Sequence, residues 1–294
     1  MRHWVGMWPA ALALGLTAPA AAQNAPPAPR VQDLGAGLHV IFGQGGNIGL
    51  SAGPDGAFVI DDQYQASAVA NLAKIEELAD GGPRYLVNTH WHGDHTGGNA
   101  AFAEAGAMIF AHENVRRRVS TTSSFNGNPV PPLPEPAWPV ITFVDGVDFH
   151  LNGETIKVFK VQASHTDGDS MVHFVEPDVL HMGDVFFNGL FPVIDLRSGG
   201  SVRGYLAAMR EVHDRIDDDT RIIPGHGPVG GKADLRKQID MLDGAIKAVE
   251  ARIRAGDTLQ QAVARKPLQP WSGYAWTVIS EDSFTTTLYN GLKQ

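Results

Sequence analysis

Residues 89–99 of this 294-residue chain read Thr-His-Trp-His-Gly-Asp-His-Thr-Gly-Gly-Asn. Three histidines and one aspartate fall within six positions, from His90 to His95. Residues 83–89 are mostly apolar and β-forming, which predicts a buried strand. Side chains two apart in an extended segment point to the same face, so His90 and His92 can bind one ion together. The pattern predicts a metal site at the end of a strand.

The second half of this stretch indicates a second metal position. Gly93 permits a sharp change of chain direction. After that turn, Asp94 and His95 can face a point a few ångström from the first ion. Residues 96–99, Thr-Gly-Gly-Asn, are typical of a helix start. We therefore predict a two-metal site where a strand passes into a helix.

Three later segments repeat the same local pattern, a strand that runs into a glycine turn beside a side chain of metal-binding type. These side chains are His165 after strand 158–162, Asp184 after strand 179–182, and His226 after strand 221–223. Alone, each is weak, because a single histidine or aspartate near a turn usually has an ordinary hydrogen-bond partner. Together with the first stretch, they predict one site assembled from several rigid strand ends.

The order of the remaining segments predicts an α/β (α+β) fold, with two sheets packed together and helices outside. Strands are predicted at 38–42, 47–51 and 57–61, and again at 141–144, 147–151, 155–162, 171–175, 179–182 and 220–224. Helices are predicted at 66–79, about 99–105, 202–216, 233–255 and 283–292. Residues 120–139, rich in Ser, Thr, Asn and Pro, predict a long irregular loop from which Phe125 and Trp138 overhang a cleft.

Composition limits the compartment and the partners. Residues 1–22 have a charged start, an apolar run and the small-residue end Ala20-Ala-Ala22, which predict a signal peptide and export to a periplasm. A membrane anchor is the competing interpretation. Residues 23–30 are predicted to be a flexible leader and 31–294 the folded domain. A net charge of −9 argues against nucleic acid or an anionic membrane as a partner, and the absence of cysteine limits metal ligands to nitrogen and oxygen.

The chain resembles the metallo-β-lactamase superfamily over nearly all of its predicted mature length. The superfamily's His-x-His-x-Asp-His motif is matched by His90, His92, Asp94 and His95. Its third histidine, its metal-bridging aspartate and its last histidine are matched by His165, Asp184 and His226. The resemblance implies an αββα sandwich of two mixed sheets with the site at one edge. It also implies a first zinc on His90, His92 and His165, a second on Asp94, His95 and His226, and Asp184 bridging them.

These ligand types agree with a hydrolase. Imidazole and carboxylate suit zinc, although iron or manganese would also accept them. Two zinc ions roughly 3.5–4 Å apart can share a hydroxide, which is a nucleophile at neutral pH. Asp94 lies between the histidine pairs, where it can orient that hydroxide and accept its proton. We predict a zinc-dependent hydrolase that cleaves a carbonyl ester, lactone, thioester or amide bond of a small molecule; no oligomeric state is predicted.

Other functions remain open at this point. The best-known zinc β-lactamases have cysteine at the bridging position and lysine three residues later, whereas this chain has Asp184 and Phe187. β-Lactam hydrolysis is therefore an alternative and not the first prediction. The basic glutathione-binding cluster of glyoxalase II enzymes has no clear match. An iron-dependent oxidoreductase or a non-catalytic metal-binding protein on the same scaffold is the remaining alternative.

Several residues near the predicted site have two interpretations. Asp61 and Asp62 end a strand aimed at the same edge, so they either hydrogen-bond a ligand histidine or cap a turn. A set of aromatic residues either lines a substrate cleft or belongs to the core, namely Phe186, Phe187, Phe191, Trp271 and Trp276.

Overall fold

The computed structural model describes Met1, residues 27–125 and residues 127–293. The predicted signal peptide, apart from Met1, and the predicted leader up to residue 26 lie outside these ranges, so both stay predictions. Arg30 already belongs to the first strand. Among the helices of the described residues, none combines the length and the apolar character needed to cross a membrane.

Within these ranges the strands, numbered in chain order, are β1 (Arg30–Gly35), β2 (Leu38–Phe42), β3 (Ile48–Ser51), β4 (Ala57–Ile60), β5 (Pro83–Asn88), β6 (Met108–His112), β7 (Ser123–Phe125), β8 (Asn128–Val130), β9 (Ile141–Phe143), β10 (Gly146–Leu151), β11 (Glu154–Lys160), β12 (Ser170–Phe174), β13 (Val179–Phe187), β14 (Arg221–His226) and β15 (Gly230–Gly231). The α-helices are α1 (Ala68–Ala79), α2 (Gly93–Thr96), α3 (Asn99–Glu104), α4 (Glu113–Val119), α5 (Val202–Arg215), α6 (Lys232–Arg254), α7 (Leu259–Ala264) and α8 (Glu281–Leu292).

The strands form two mixed sheets. The first has the order β1-β2-β3-β4-β5-β6-β9, antiparallel from β1 to β4 and parallel from β4 to β9. The second has the order β10-β11-β12-β13-β14-β15, with a parallel pair at β13 and β14. Parallel neighbours place their carboxyl ends at one edge of a sheet. β5 ends just before His90, whereas Asp184 and His226 lie in the second halves of β13 and β14.

Apolar side chains from both sheets interlock between them. Phe58 and Val87 from the first sheet pack with Val158, Val172 and Phe174 from the second. Fully burying a side chain of this size contributes about 1.5–3 kcal/mol, so this layer is a main source of stability. The short strands predicted from the sequence therefore form the inner faces of a sandwich.

Helices cover both outer faces. Ile75 of α1 and Phe102 of α3 pack on the first sheet. Met209 of α5, Leu242 of α6 and Leu288 of α8 pack on the second. The predicted fold class, an αββα sandwich of two mixed sheets, is confirmed.

The structure differs from the sequence prediction at residues 120–139. This segment contains the hairpin β7–β8 and a short 3-10 turn, Glu135–Ala137, so the prediction of a wholly irregular loop was wrong. Its strands are only three residues long, and β8 contains a proline, which is why no alternating pattern was visible. Trp138 does not line the cleft: it packs with the cluster around Trp91, and its indole N–H donates to the Leu133 carbonyl.

β13 also runs further than predicted. It continues to Phe187, so Asp184 lies inside the strand and not after it. The pairing of β13 with β14 shifts register on both sides of Gly183, which has a φ of +51°. This irregularity turns the Asp184 side chain toward the sheet edge where the histidines lie.

Candidate metal centre

The seven predicted ligands meet at one edge of the sandwich. They form two groups of nitrogen and oxygen atoms, and within each group these atoms all lie within 4.8 Å of one another. The first group is His90, His92, His165 and Asp184, and the second is Asp94, His95 and His226. Each group contains a donor set that could hold a metal ion. The role of the individual residues as ligands stays a prediction.

Strand geometry explains the first group. His90 and His92 follow β5 across a bend at residues 89–91, and both rings reach the same group of donors. His92 Nδ1 lies 2.9 Å from His165 Nε2. His90 Nε2 and His165 Nε2 lie 3.7 and 3.4 Å from Asp184 Oδ2. Three imidazole nitrogens and one carboxylate oxygen therefore surround one point.

The second group lies around the start of α2 and the end of β14. His226 Nε2 is 3.2 Å from Asp94 Oδ2, and His95 Nε2 is 3.6 Å from the same oxygen. The two histidine Nε2 atoms are 3.4 Å apart. The turn at Gly93 thus directs Asp94 and His95 away from the first group, as the sequence predicted.

Asp184 joins the two groups because its two oxygens divide between them. Oδ2 faces the first group, while Oδ1 lies 3.0 Å from His95 Nε2 and 3.5 Å from His226 Nε2. The side chain is 4% exposed. Gly225 passes so close that a methyl group built on it would overlap Asp184 Oδ1. Only glycine permits this approach of β14 to the carboxylate.

Two buried polar atoms at the centre of the site support a fit to metal ions. Among the described residues, His90 Nε2 makes no hydrogen bond, and neither does Asp184 Oδ1, although it lies 3.0 Å from His95 Nε2. Leaving such an atom unpaired costs about 1–3 kcal/mol, so native proteins rarely do so without a reason. Both atoms point toward other donors of their groups, and a bound cation would satisfy them.

In four histidine rings, the nitrogen that faces away from the centre of the site also has a hydrogen-bond partner. Thr89 Oγ1 contacts His90 Nδ1 at 3.1 Å, and Asp61 Oδ2 contacts His95 Nδ1 at 2.7 Å. His165 Nδ1 donates to the Val193 carbonyl at 2.8 Å, and Asp195 Oδ2 contacts His92 Nε2 at 3.1 Å. Such contacts fix ring orientation and tautomer, leaving the other nitrogen free for a metal.

These contacts decide the open question about Asp61 and Asp62. Asp61 holds His95, which is a predicted ligand, and also accepts hydrogen bonds from Thr89 N and Oγ1. Asp62 instead accepts from Gly98 N, ahead of α3. Asp195 was missed by sequence reasoning, because its segment, residues 191–200, contains no metal-binding pattern.

The electrostatics of the two groups differ. Burial lowers the pKa of His90 well below its ordinary value and also lowers the pKa of His165, which leaves both imidazoles in the neutral form that binds metal. In the second group, burial would lower the pKa of His226, but the charge of Asp184 and hydrogen bonds to Asp184 and Asp94 together outweigh it and raise that pKa to about 9. Two nearby carboxylates thus favour positive charge here, as a proton or as a metal ion.

A cleft of about 290 Å³ opens beside the second group. Its wall contains Asp94, Asp184, His92 and His226 together with five larger side chains, Tyr64, Phe125, Val193, Trp276 and Val278. The Phe125 ring of the β7–β8 hairpin lies 4.7 Å from the His92 ring, centroid to centroid. Phe125 therefore overhangs the site as predicted.

The other aromatic candidates divide between cleft and core. Phe186 and Phe191 are fully buried, and Trp271 packs against the core beneath α6. Phe187 is also buried, but its ring stacks on His226 at 4.9 Å with an interplanar angle of 16°. Of the five candidates, only Trp276 lines the cleft.

Gly46 provides a direct test of how tightly the second group is packed. A methyl group built there would overlap the His95 ring, and the Gly46 backbone is fixed by hydrogen bonds with Asp94 and Gln63. We expect Gly46→Ala to reduce metal binding at the second group and to lower stability by about 1–3 kcal/mol. Metal titration and thermal unfolding check this. Gly81→Ala, at a site with no atom within 4 Å, is the control. Identical behaviour of the two variants would contradict the packing argument.

The fold and the site together define a class of protein: a two-sheet α/β sandwich whose edge carries paired histidine and aspartate groups able to hold metal ions. Residues 42–226 match the metallo-beta-lactamase superfamily. Since this match covers more than half of the chain, the protein belongs to the metallo-β-lactamase superfamily, a superfamily of hydrolases. The resemblance seen in the sequence is confirmed.

Individual relatives are more distant. A hydroxyacylglutathione hydrolase from a Polaromonas species is 29% identical over 188 residues, which cover 60% of this chain and 61% of the relative. A metallo-beta-lactamase from Pontibacter korlensis has a TM-score of 0.60 at 18% identity, covering 73% of this chain and 99% of its own. The sec-alkylsulfatase Pisa1 from Pseudomonas has a TM-score of 0.64 at 17% identity, covering 88% of this chain and 49% of its own. At these identities the structural likenesses show the fold alone.

Proposed function

We propose that this protein is a metal-dependent hydrolase that uses two zinc ions to cleave an uncharged carbonyl compound, such as an ester, lactone, thioester or amide. The observation that carries the proposal is the position of Asp184, with one oxygen toward each group of histidines. A carboxylate so placed suits two cations roughly 3.5–4 Å apart. Manganese or iron would accept the same donors.

The metal-binding groups and Asp94 would have different roles in the proposed hydrolysis. Zinc ions held by the two groups would supply a nucleophile from water at neutral pH and would polarise the substrate's carbonyl oxygen. Asp94 lines the cleft and is 19% exposed, so its carboxylate can meet the attacking water. Burial would raise the pKa of Asp94, but the charges of His95 and His226 outweigh it and hold this pKa at about 2. Asp94 is therefore ionised and can accept a proton.

The cleft wall favours a substrate without remote charges. Among the described residues, no lysine or arginine lines it, and most of its larger side chains are apolar. Phe187 occupies the position at which the best-known zinc β-lactamases have lysine. It is buried against His226, so this position supplies no positive charge to a substrate. A carboxylate of a β-lactam or of glutathione, lying beyond the metal positions, would find no ion-pair partner in the wall. Aromatic and aliphatic groups would instead contact Phe125, Trp276 and Val278.

A pair of substrates that differ only in charge tests this proposal. The zinc-loaded protein would be given thioesters of one acyl group, made with glutathione and with an uncharged thiol, beside a lactone, a neutral ester and a chromogenic β-lactam. We expect kcat/KM to be about tenfold or more higher for the uncharged thioester, the equivalent of about 1.4 kcal/mol. Preference for the glutathione thioester would overturn the substrate class. Full metal content with no turnover of any substrate would favour a non-catalytic metal-binding protein.

A further inference from the structure

The loop between β13 and α5, residues 193–200, contacts the first metal-binding group on the side away from the predicted metal position. The Val193 carbonyl accepts the hydrogen bond from His165 Nδ1 at 2.8 Å. Asp195 N donates to the His165 carbonyl at 2.9 Å, and Asp195 Oδ2 contacts His92 Nε2 at 3.1 Å. Two of the three histidines in the first group are therefore oriented by this one loop.

The Asp195 carboxylate is itself rigidly placed. It is 6% exposed, and its other oxygen, Oδ1, accepts hydrogen bonds from Arg197 N and Ser198 N at 3.2 Å each. The loop backbone also folds around Asp195, because Ser198 N and Gly200 N donate hydrogen bonds to its main-chain carbonyl. A methyl group at Gly200 would overlap the His165 carbonyl, which shows how closely the loop lies against the first group.

We infer that Asp195 is a positioning residue that makes His92 present Nδ1 to the first metal ion. A carboxylate can only accept, so the hydrogen on His92 must lie on Nε2, and Nδ1 keeps its lone pair for the metal. Nδ1 is the nitrogen that faces His165 Nε2. Asp195 thereby fixes both the direction and the tautomer of the ring.

The second group has its own carboxylate support. Asp61 Oδ2 contacts His95 Nδ1 at 2.7 Å, and its remaining hydrogen bonds go to Thr89, whose Oγ1 contacts His90 Nδ1. Asp61 therefore contacts the second group directly and reaches the first group only through Thr89. Changes at Asp195 should weaken the first position, whereas changes at Asp61 should weaken chiefly the second.

An asparagine at position 195 separates tautomer control from simple loop support. In Asp195→Asn the single carbonyl oxygen can still cap Arg197 N and Ser198 N, while the amide donates toward His92 Nε2. That donation favours hydrogen on Nδ1, which cannot then bind a metal. Asp195→Ala removes the cap and the His92 contact, but leaves the tautomer free. If Asp195 controls the tautomer, asparagine harms metal binding at least as much as alanine does.

The test is a metal titration of the full chain with a competing chelator, with ¹¹³Cd NMR to distinguish the two positions. His165→Ala and His226→Ala identify which resonance belongs to each group. We expect Asp195→Asn to weaken the first position by about 10–100-fold, with the second unchanged, and Asp61→Asn to weaken the second position more than the first, which Asp61 reaches only through Thr89. Thermal unfolding of the metal-free variants reports any loss of loop support separately.

Two results would overturn the inference: an unchanged first position in Asp195→Asn, or alanine proving worse than asparagine with both positions weakened together. The inference rests on the proposed metal site but not on the proposed hydrolysis. Two normal cadmium signals in a protein that cleaves no acyl substrate would therefore refute the activity alone. A wild-type protein that binds no ion at the first position would refute both.

Discussion

The Asp184→Ala variant should hold at most one metal ion per chain, and its kcat/KM should fall by about 10³ or more. Among the residues that the structure describes, Asp184 is the one whose two oxygens face both groups, at 3.4 and 3.0 Å from His165 and His95. Without it, each group keeps three donors and can still bind an ion alone. Two divalent ions roughly 3.5–4 Å apart would then repel each other with one anion fewer between them. Losing even one stabiliser of the developing oxyanion costs about 10²–10³ in rate.

Metal analysis after dialysis, together with single-substrate kinetics, checks this expectation. Asp184→Asn is the matched variant, because it keeps the shape but has one oxygen for two positions. We expect it to behave nearly as alanine does. Circular dichroism of both metal-free proteins establishes that the fold survives. A variant that retains two ions, or that keeps near-normal turnover with one, would show that Asp184 does not bridge.

The parts of this site that follow a local pattern were accessible from the sequence. His90, His92, Asp94 and His95 lie next to each other in the chain, and a strand followed by a glycine turn fixes their directions. The sandwich was accessible for the same reason, since its strands are short, apolar and separated by turn residues. Local backbone preference and burial were enough to predict both features.

Contacts made across the chain were not accessible. Asp195 reaches His92 over 103 positions, and no spacing in the sequence connects the two. The bend that directs Asp184 depends on a shift in the pairing of β13 with β14, which is a property of two strands and not of either one. The β7–β8 hairpin also escaped prediction, because its strands are too short to show a period, although Phe125 on that hairpin covers the site.

Asp94 is the most exposed of the seven predicted ligands, with 19% of its side chain accessible against 13% for His226. Its carboxylate lines the cleft, and Oδ2 lies 3.2 Å from His226 Nε2. Asp94→Asn would keep the size and one ligand oxygen but lose the proton acceptor. General-base assistance is worth about 10²–10⁴ in rate. We therefore expect the loss in kcat to fall within that range.

The distinguishing measurement is kcat together with metal content in the same preparation. We expect kcat of Asp94→Asn to fall by about 10²-fold or more while close to two ions remain bound. Asp148→Asn is the control for a general loss of negative charge. It changes an exposed carboxylate on β10 that pairs with Lys157 on β11. If Asp94→Asn loses its metal in proportion to its activity, Asp94 acts chiefly as a ligand. If it keeps both ions and near-normal kcat, the proton goes to another acceptor, and Asp94 has no part in the chemical step.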